Sequence, residues 1–170
     1  MTRWDSPPQL STRDRAFLRR CVELAAEALA DGDEPFGSIL VSAEGAVLFE
    51  DRNRVKDGDN TRHPEFEIAK WAAANLPSAH RSTAVVYTSG EHCPMCSAAH
   101  AWVGLGKIVY AASTAQLLTW LDEWQCPKGP VAPLPINAVA PDIPVAGPAP
   151  ELTGIIRSLH AKFRRIPDGE

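Results

Sequence analysis

Long apolar runs, an excess of positive charge, internal repeats and a dense cysteine framework are all missing from this 170-residue chain. No stretch approaches the roughly 18–20 consecutive apolar residues that a membrane span requires, so no membrane partner is expected. Residues 1–10 are polar, contain Pro7 and Pro8 and lack the apolar centre of a secretory signal; the expected address is cytoplasmic. The formal net charge is -4, which disfavours a long polyanion, because such binding draws on lysine and arginine to displace counterions. Two basic clusters exist, Arg13, Arg15, Arg19 and Arg20 near the start and Lys162, Arg164 and Arg165 near the end. Both fall in amphipathic helical patterns and read as solvated faces. A small substrate and no nucleic acid are therefore expected.

Four cysteines are present, Cys21, Cys93, Cys96 and Cys126. In a reducing compartment a chain of this size does not rely on disulfides. Cys21 lies on the apolar face of a predicted helix and reads as a small core residue. Cys126 has no partner at ligand spacing. Cys93 and Cys96 are left to explain.

What is there fits one domain, residues 1–170, with a single sizeable core. Phe17, Cys21, Leu24 and Ala28 recur at helical spacing and predict a helix over 12–30, stopped at Asp31-Gly32-Asp33. Residues 37–41 and 46–50 read as strands joined at Glu44-Gly45. A polar loop leads to a helix over 64–75, where Pro64 suits a first turn that has no amide bond to lose. Residues 83–88 and 107–112 have the apolar, β-branched character of buried strands. Helices are expected over 94–103 and 115–124. Residues 127–150 carry eight prolines and are expected as an extended segment, either along the surface or onto a partner subunit. A last helix spans 151–165. Helix, hairpin, helix, strand, helix, strand, helix is an α/β pattern with a central mixed sheet and helices on both faces.

Cys93-Pro94-Met95-Cys96 sets two thiols three residues apart at a helix start, where free amides and the helix dipole favour thiolate. His63, at the start of another helix, is the candidate third ligand. Three protein ligands that leave a fourth position open are the catalytic zinc pattern; a closed structural site would want a second C-x-x-C or a histidine pair. Glu65, two residues after His63, is the candidate base. A neutral imidazole and two thiolates leave zinc with almost no net charge to acidify water, so a neighbouring carboxylate is needed to take the proton.

His63-Pro64-Glu65 with Cys93-Pro94-Met95-Cys96 resembles the zinc signature of the cytidine and nucleobase deaminases. The resemblance runs from about Glu34 to Ser113, through Pro35-Phe36-Gly37, the Asn53 loop ending at Thr61-Arg62-His63, and Lys107-Ile108-Val109-Tyr110-Ala111. It is similar to the free-base branch, small guanine and cytosine deaminases in particular. It implies a three-layer α/β/α sandwich, a Zn2+ cofactor, assembly as a homodimer or larger, and hydrolytic removal of an exocyclic amino group; the length of the proline-rich stretch adds the expectation that the C-terminal segment is exchanged between protomers. The amino group would come from guanine or from a cytosine-like pyrimidine or triazine. A transfer-RNA adenosine deaminase and a non-catalytic zinc module are the alternatives.

By the same resemblance Asn53 hydrogen-bonds the base, its amide offering a donor and an acceptor together; a plain turn asparagine is the other reading. Phe36 and Trp120, with Trp124, are candidates for a stacking wall, and Glu123 for a second proton shuttle. One departure matters: the signature has proline before its first cysteine, and this chain has His92. That histidine either faces the pocket and reads a base edge or faces solvent.

Overall fold

The computed structural model describes residues 9–167. The first helix, α1 (Thr12–Ala30), begins with a reciprocal cap: the Ser11 hydroxyl accepts from the Asp14 amide and the Asp14 carboxylate accepts from the Ser11 amide. Asp14 also accepts the Tyr87 hydroxyl at 2.7 Å, which ties the helix start to the sheet. The hairpin follows as β1 (Gly37–Val41) and β2 (Val47–Arg52), and then α2 (Pro64–Asn75) and a short α3 (Ser78–Thr83). The chain continues through β3 (Val85–Gly90), α4 (Pro94–Trp102), β4 (Ile108–Ala112) and α5 (Thr114–Glu123), whose Ser113–Gln116 cap repeats the device of α1.

The five strands lie in the order β2-β1-β3-β4-β5, where β5 is Val145–Ala146. β1 is antiparallel to both its neighbours, whereas β3, β4 and β5 run parallel. Residues of β1 alternate between the two faces, as a period of two requires. Ile39 and Val41 join Leu18, Cys21, Val109 and Ile156 in one core beneath α1 and the last helix, α7 (Pro150–Phe163). Leu40 joins Ile68, Ala72 and Val86 in the other core, beneath α2 and α4. Gly37 lets α1 sit down on β1: a Cβ there would come within 2.4 Å of the Leu24 Cβ. The result is a three-layer sandwich around a mixed sheet.

The proline-rich segment departs from an unbroken extended path. It contains a four-residue helix, α6 (Ile136–Val139), and then β5, which pairs Val145 with Ile108 and Ala146 with Val109. Glu91 anchors it, accepting the Ile136 amide at 3.0 Å and the Thr114 amide at 2.8 Å. One carboxylate thus joins the starts of two helices, each of which presents unpaired amides. α3 is absent from the sequence expectation because 78–83 has no buried residue and hence no apolar periodicity to detect. Among the described residues no helix is long and apolar enough to cross a membrane.

Candidate metal centre and active site

Both metal-binding motifs stand at helix starts. His63 is the N-cap of α2 and Cys93 the N-cap of α4, each in extended conformation and each followed by a proline. Neither makes a side-chain cap, so ring and thiol are free to point elsewhere. They converge. His63 Nδ1 lies 3.6 Å from the Sγ atoms of both Cys93 and Cys96, and the two sulfurs are 3.6 Å apart. A tetrahedral zinc with Zn–S of about 2.3 Å and Zn–N of about 2.0–2.1 Å needs ligand atoms roughly 3.5–3.8 Å apart. The triangle fits that ion with its fourth corner unclaimed by protein, and it is the one such cluster of three ligand atoms among the described residues.

The electrostatics of the bare triad suit a cation. Hydrogen bonds from Cys96 and His63 lower the Cys93 thiol to about 4 against the burial that raises it. His63 rises to about 8, chiefly through its hydrogen bond with Cys93. Cys96 is pushed up, first by the neighbouring Cys93 and then by burial. A divalent ion relieves that repulsion by holding both sulfurs as thiolates.

Glu65 completes the cluster. It is 6% exposed, and its Oε2 lies 3.7 Å from Cys96 Sγ. Its other oxygen accepts from Ser38 Oγ at 3.0 Å and from Thr88 Oγ1 at 2.9 Å. Burial raises the Glu65 pKa above the usual carboxylate value, partly offset by His63. Ser38 and Thr88 are neighbours across β1 and β3, on the face that carries Leu40 and Val86. Neither was singled out from sequence. The available signal was a polar residue inside an otherwise apolar, fully buried strand, which must find a partner.

The other candidates divide. Asn53 is 1% exposed; its backbone N–H donates to the Phe36 carbonyl at 3.0 Å, and its side-chain Oδ1 has no hydrogen-bond partner. Phe36 is half-buried and passes so close to Gly90 that a Cβ there would meet its ring at 2.8 Å. Asn53 and Phe36 are therefore side by side, next to the strand end that leads into Cys93. His92 is 1% exposed, which removes the solvent-facing alternative. Its ring stands edge-on to His100 at 5.5 Å, and neither ring nitrogen has a partner. Burial pushes its pKa well down, so the ring is neutral. Trp120 packs into the core beneath α1 and α7, beside Trp124 and His160. Glu123 is half exposed and pairs with Arg157 at 2.7 Å rather than with any member of the triad.

Comparison with known proteins bears on the whole arrangement. Residues 11–112 match the family described as the cytidine and deoxycytidylate deaminase zinc-binding region. The chain is similar to a probable cytosine deaminase of Schizosaccharomyces pombe, 33% identical over 89% of this chain and 93% of that protein. It is also similar to a guanine deaminase of Bacillus subtilis, 37% identical over 56% of this chain and 62% of that one. In fold it resembles a solved guanine deaminase from Nitrosomonas europaea, with a TM-score of 0.65, 22% identity, and 92% and 89% of the two chains covered. With the family's zinc-binding region spanning the three ligands and a sandwich of the same fold around them, this chain belongs to the cytidine and deoxycytidylate deaminase zinc-binding family, with His63, Cys93 and Cys96 as its zinc-binding triad.

Proposed function

We propose that the protein is a hydrolytic deaminase of a free nucleobase or base analogue, guanine or a cytosine-like pyrimidine or triazine, and that Glu65 moves the protons. The observation that carries this reading is the buried Glu65 carboxylate, one oxygen locked by Ser38 and Thr88 and the other facing the triad. In the reaction the oxygen of a water bonds to the ring carbon that bears the amino group. The C–N bond breaks, ammonia leaves and a carbonyl remains. Zinc, when bound, supplies Lewis-acid activation of that water. Glu65 accepts one proton of the water and passes it to the ring nitrogen; it then takes the second, from the hydroxyl now on the ring carbon, and delivers it to the departing amine, so that a carbonyl remains. The clamp on its other oxygen keeps the working oxygen in place through both transfers.

Asn53 supports a base as the ligand. A buried amide oxygen without a partner costs stability, and a ring N–H would satisfy it. His92 is adjacent to Cys93, but its ring is packed against His100 with both nitrogens shut away, so no base contact is assigned to it. The relatives named for cytosine and guanine favour a free base over a polymer, as does the net charge of -4. Zinc-loaded protein incubated with guanine, cytosine, adenine, their nucleosides and a transfer-RNA stem-loop is expected to release ammonia from a free base. Release from the stem-loop alone would mean the transfer-RNA reading; release from none would leave a non-catalytic zinc module. Asn53→Ala is expected to raise KM for the active base by about tenfold, the worth of a buried hydrogen bond of 1–1.5 kcal/mol.

A second copy of the chain is the proposed partner. Trp102, at the end of α4, is 89% exposed, and beside it Ala98, Ala101 and Val139 line a shallow hollow of about 320 Å3. Trp102, Ala98, Ala101 and Val139 present one exposed apolar patch, which the proposed second copy covers with its own across a two-fold axis. Trp102→Glu is expected to weaken self-association by at least about thirtyfold, the loss of one central aromatic anchor, as read by sedimentation equilibrium. Unchanged association would remove Trp102 from the interface.

A further inference from the structure

The last turn of α7 ends against the segment that carries Phe36. The His160 ring lies edge-on to Phe36 with centroids 5.0 Å apart, and the Trp120 ring is also near it at 6.3 Å. One turn later Arg164 donates to Glu34 Oε1 at 2.6 Å, and its Nη1 lies 3.1 Å from His160 Nδ1. The ion pair is mostly buried, with 15% of the Arg164 side chain and 28% of the Glu34 side chain exposed. Both ends of Glu34-Pro35-Phe36 are therefore held by one helix turn from the far end of the chain.

The other side of this segment is the site itself. The Phe36 carbonyl accepts the Asn53 backbone N–H at 3.0 Å, and the Gly37 backbone N–H donates to Ser89 Oγ at 3.1 Å. Ser38, next in line, holds Glu65. Gly90 leaves room for the Phe36 ring and nothing larger than a hydrogen in its own place.

We propose that His160 and Arg164 are positioning residues, which fix the Phe36 ring and the Asn53 backbone beside the metal centre and so set the affinity for the base. The affinity part rests on the free-base reading above; the positioning part does not. A charge-assisted Arg–carboxylate pair shielded from water holds its geometry better than an exposed one. The edge-to-face ring contact adds direction, since it is lost when either ring tilts. Burial pushes His160 down to about 3, so at neutral pH its ring is uncharged and accepts the Arg164 N–H, leaving Glu34 to Arg164 alone.

The test uses the full-length, zinc-loaded protein with His160→Ala, His160→Phe and Arg164→Ala, read by amide hydrogen exchange at Gly37 and Asn53 and by ammonia release. The two alanine variants are expected to exchange faster at Asn53. Their KM should rise about threefold to tenfold, the worth of an aromatic pair, with kcat within about twofold of the parent. His160→Phe keeps the ring and should stay near the parent in both readouts. Unchanged exchange in the alanine variants overturns the proposal, as does a fall in kcat at constant KM. If an alanine variant does not fold, Arg164→Lys, which keeps the charge and loses the planar fork, makes the same comparison. Absence of turnover by the parent on every base would defeat the free-base reading, while the exchange data would still decide the positioning role.

Discussion

Glu65→Gln is expected to lower turnover on the active base by a factor of about 10² to 10⁴, the range of a positioned general acid–base group, and to leave zinc bound. The amide is the same size, and its oxygen can still accept from Ser38 and Thr88, so geometry is preserved and only the proton relay is lost. Stability should move the other way. In the metal-free protein burial raises the Glu65 pKa above its unfolded value. A carboxyl shifted upward contributes stability at low pH, and that contribution is lost as pH rises through the folded pKa. Chelated Glu65→Gln should therefore be at least as stable as chelated parent at pH 8, with the difference shrinking toward pH 4 in urea titrations. Full turnover in a zinc-loaded Glu65→Gln protein would remove Glu65 from the chemistry. A variant that lost zinc along with activity would instead make Glu65 part of the metal site.

Removing the metal should have the other large effect. Cys96→Ala, or a strong chelator added to the parent, is expected to abolish turnover and to lower the melting temperature. A ligand that binds only the folded chain at about a thousand times its Kd stabilises it by about 4 kcal/mol. For a domain of this size that is roughly 8–16 °C. The reason lies in the bare cluster: Cys93 and His63 form a charged pair while Cys96 is forced to keep its proton, all within 3.6 Å. A divalent ion holds the starts of α2 and α4 together by direct bonds. The cavity left by Cys96→Ala also costs stability, and the chelator separates the two causes. It should shift the parent and leave the variant where it is. A parent whose melting point ignored the chelator would mean that the triad holds no metal.

Much of this protein is legible before folding is considered. The helix over 12–30 and the helix over 64–75 are found where periodicity and caps put them, because those signals operate within a few residues. The ligands were legible for the same reason. C-x-x-C after a strand and His-x-Glu at a helix start are local spacings whose chemistry narrows the options sharply. Strand ends were less so: β3 runs to Gly90, two residues past the expected end, since its last residues are defined by pairing with β4 and not by their own apolarity.

The chain alone therefore determined the five longer helices, the α/β order and the two local motifs that carry the zinc ligands, all of which depend on residues close together along the backbone; α3 and α6 it did not. Tertiary structure alone decided the rest. Ser38 and Thr88 become the clamp on Glu65 only because β1 and β3 pair in one register, which brings together positions 23 to 50 residues apart. Glu123 is drawn to Arg157 and residues 145–146 become a fifth strand through partners distant in sequence, while His92 is buried against His100, close along the chain, by the packing around it. Side-chain type limits what a residue can do; which neighbour it meets is set by the packing of segments whose order along the chain carries no distance.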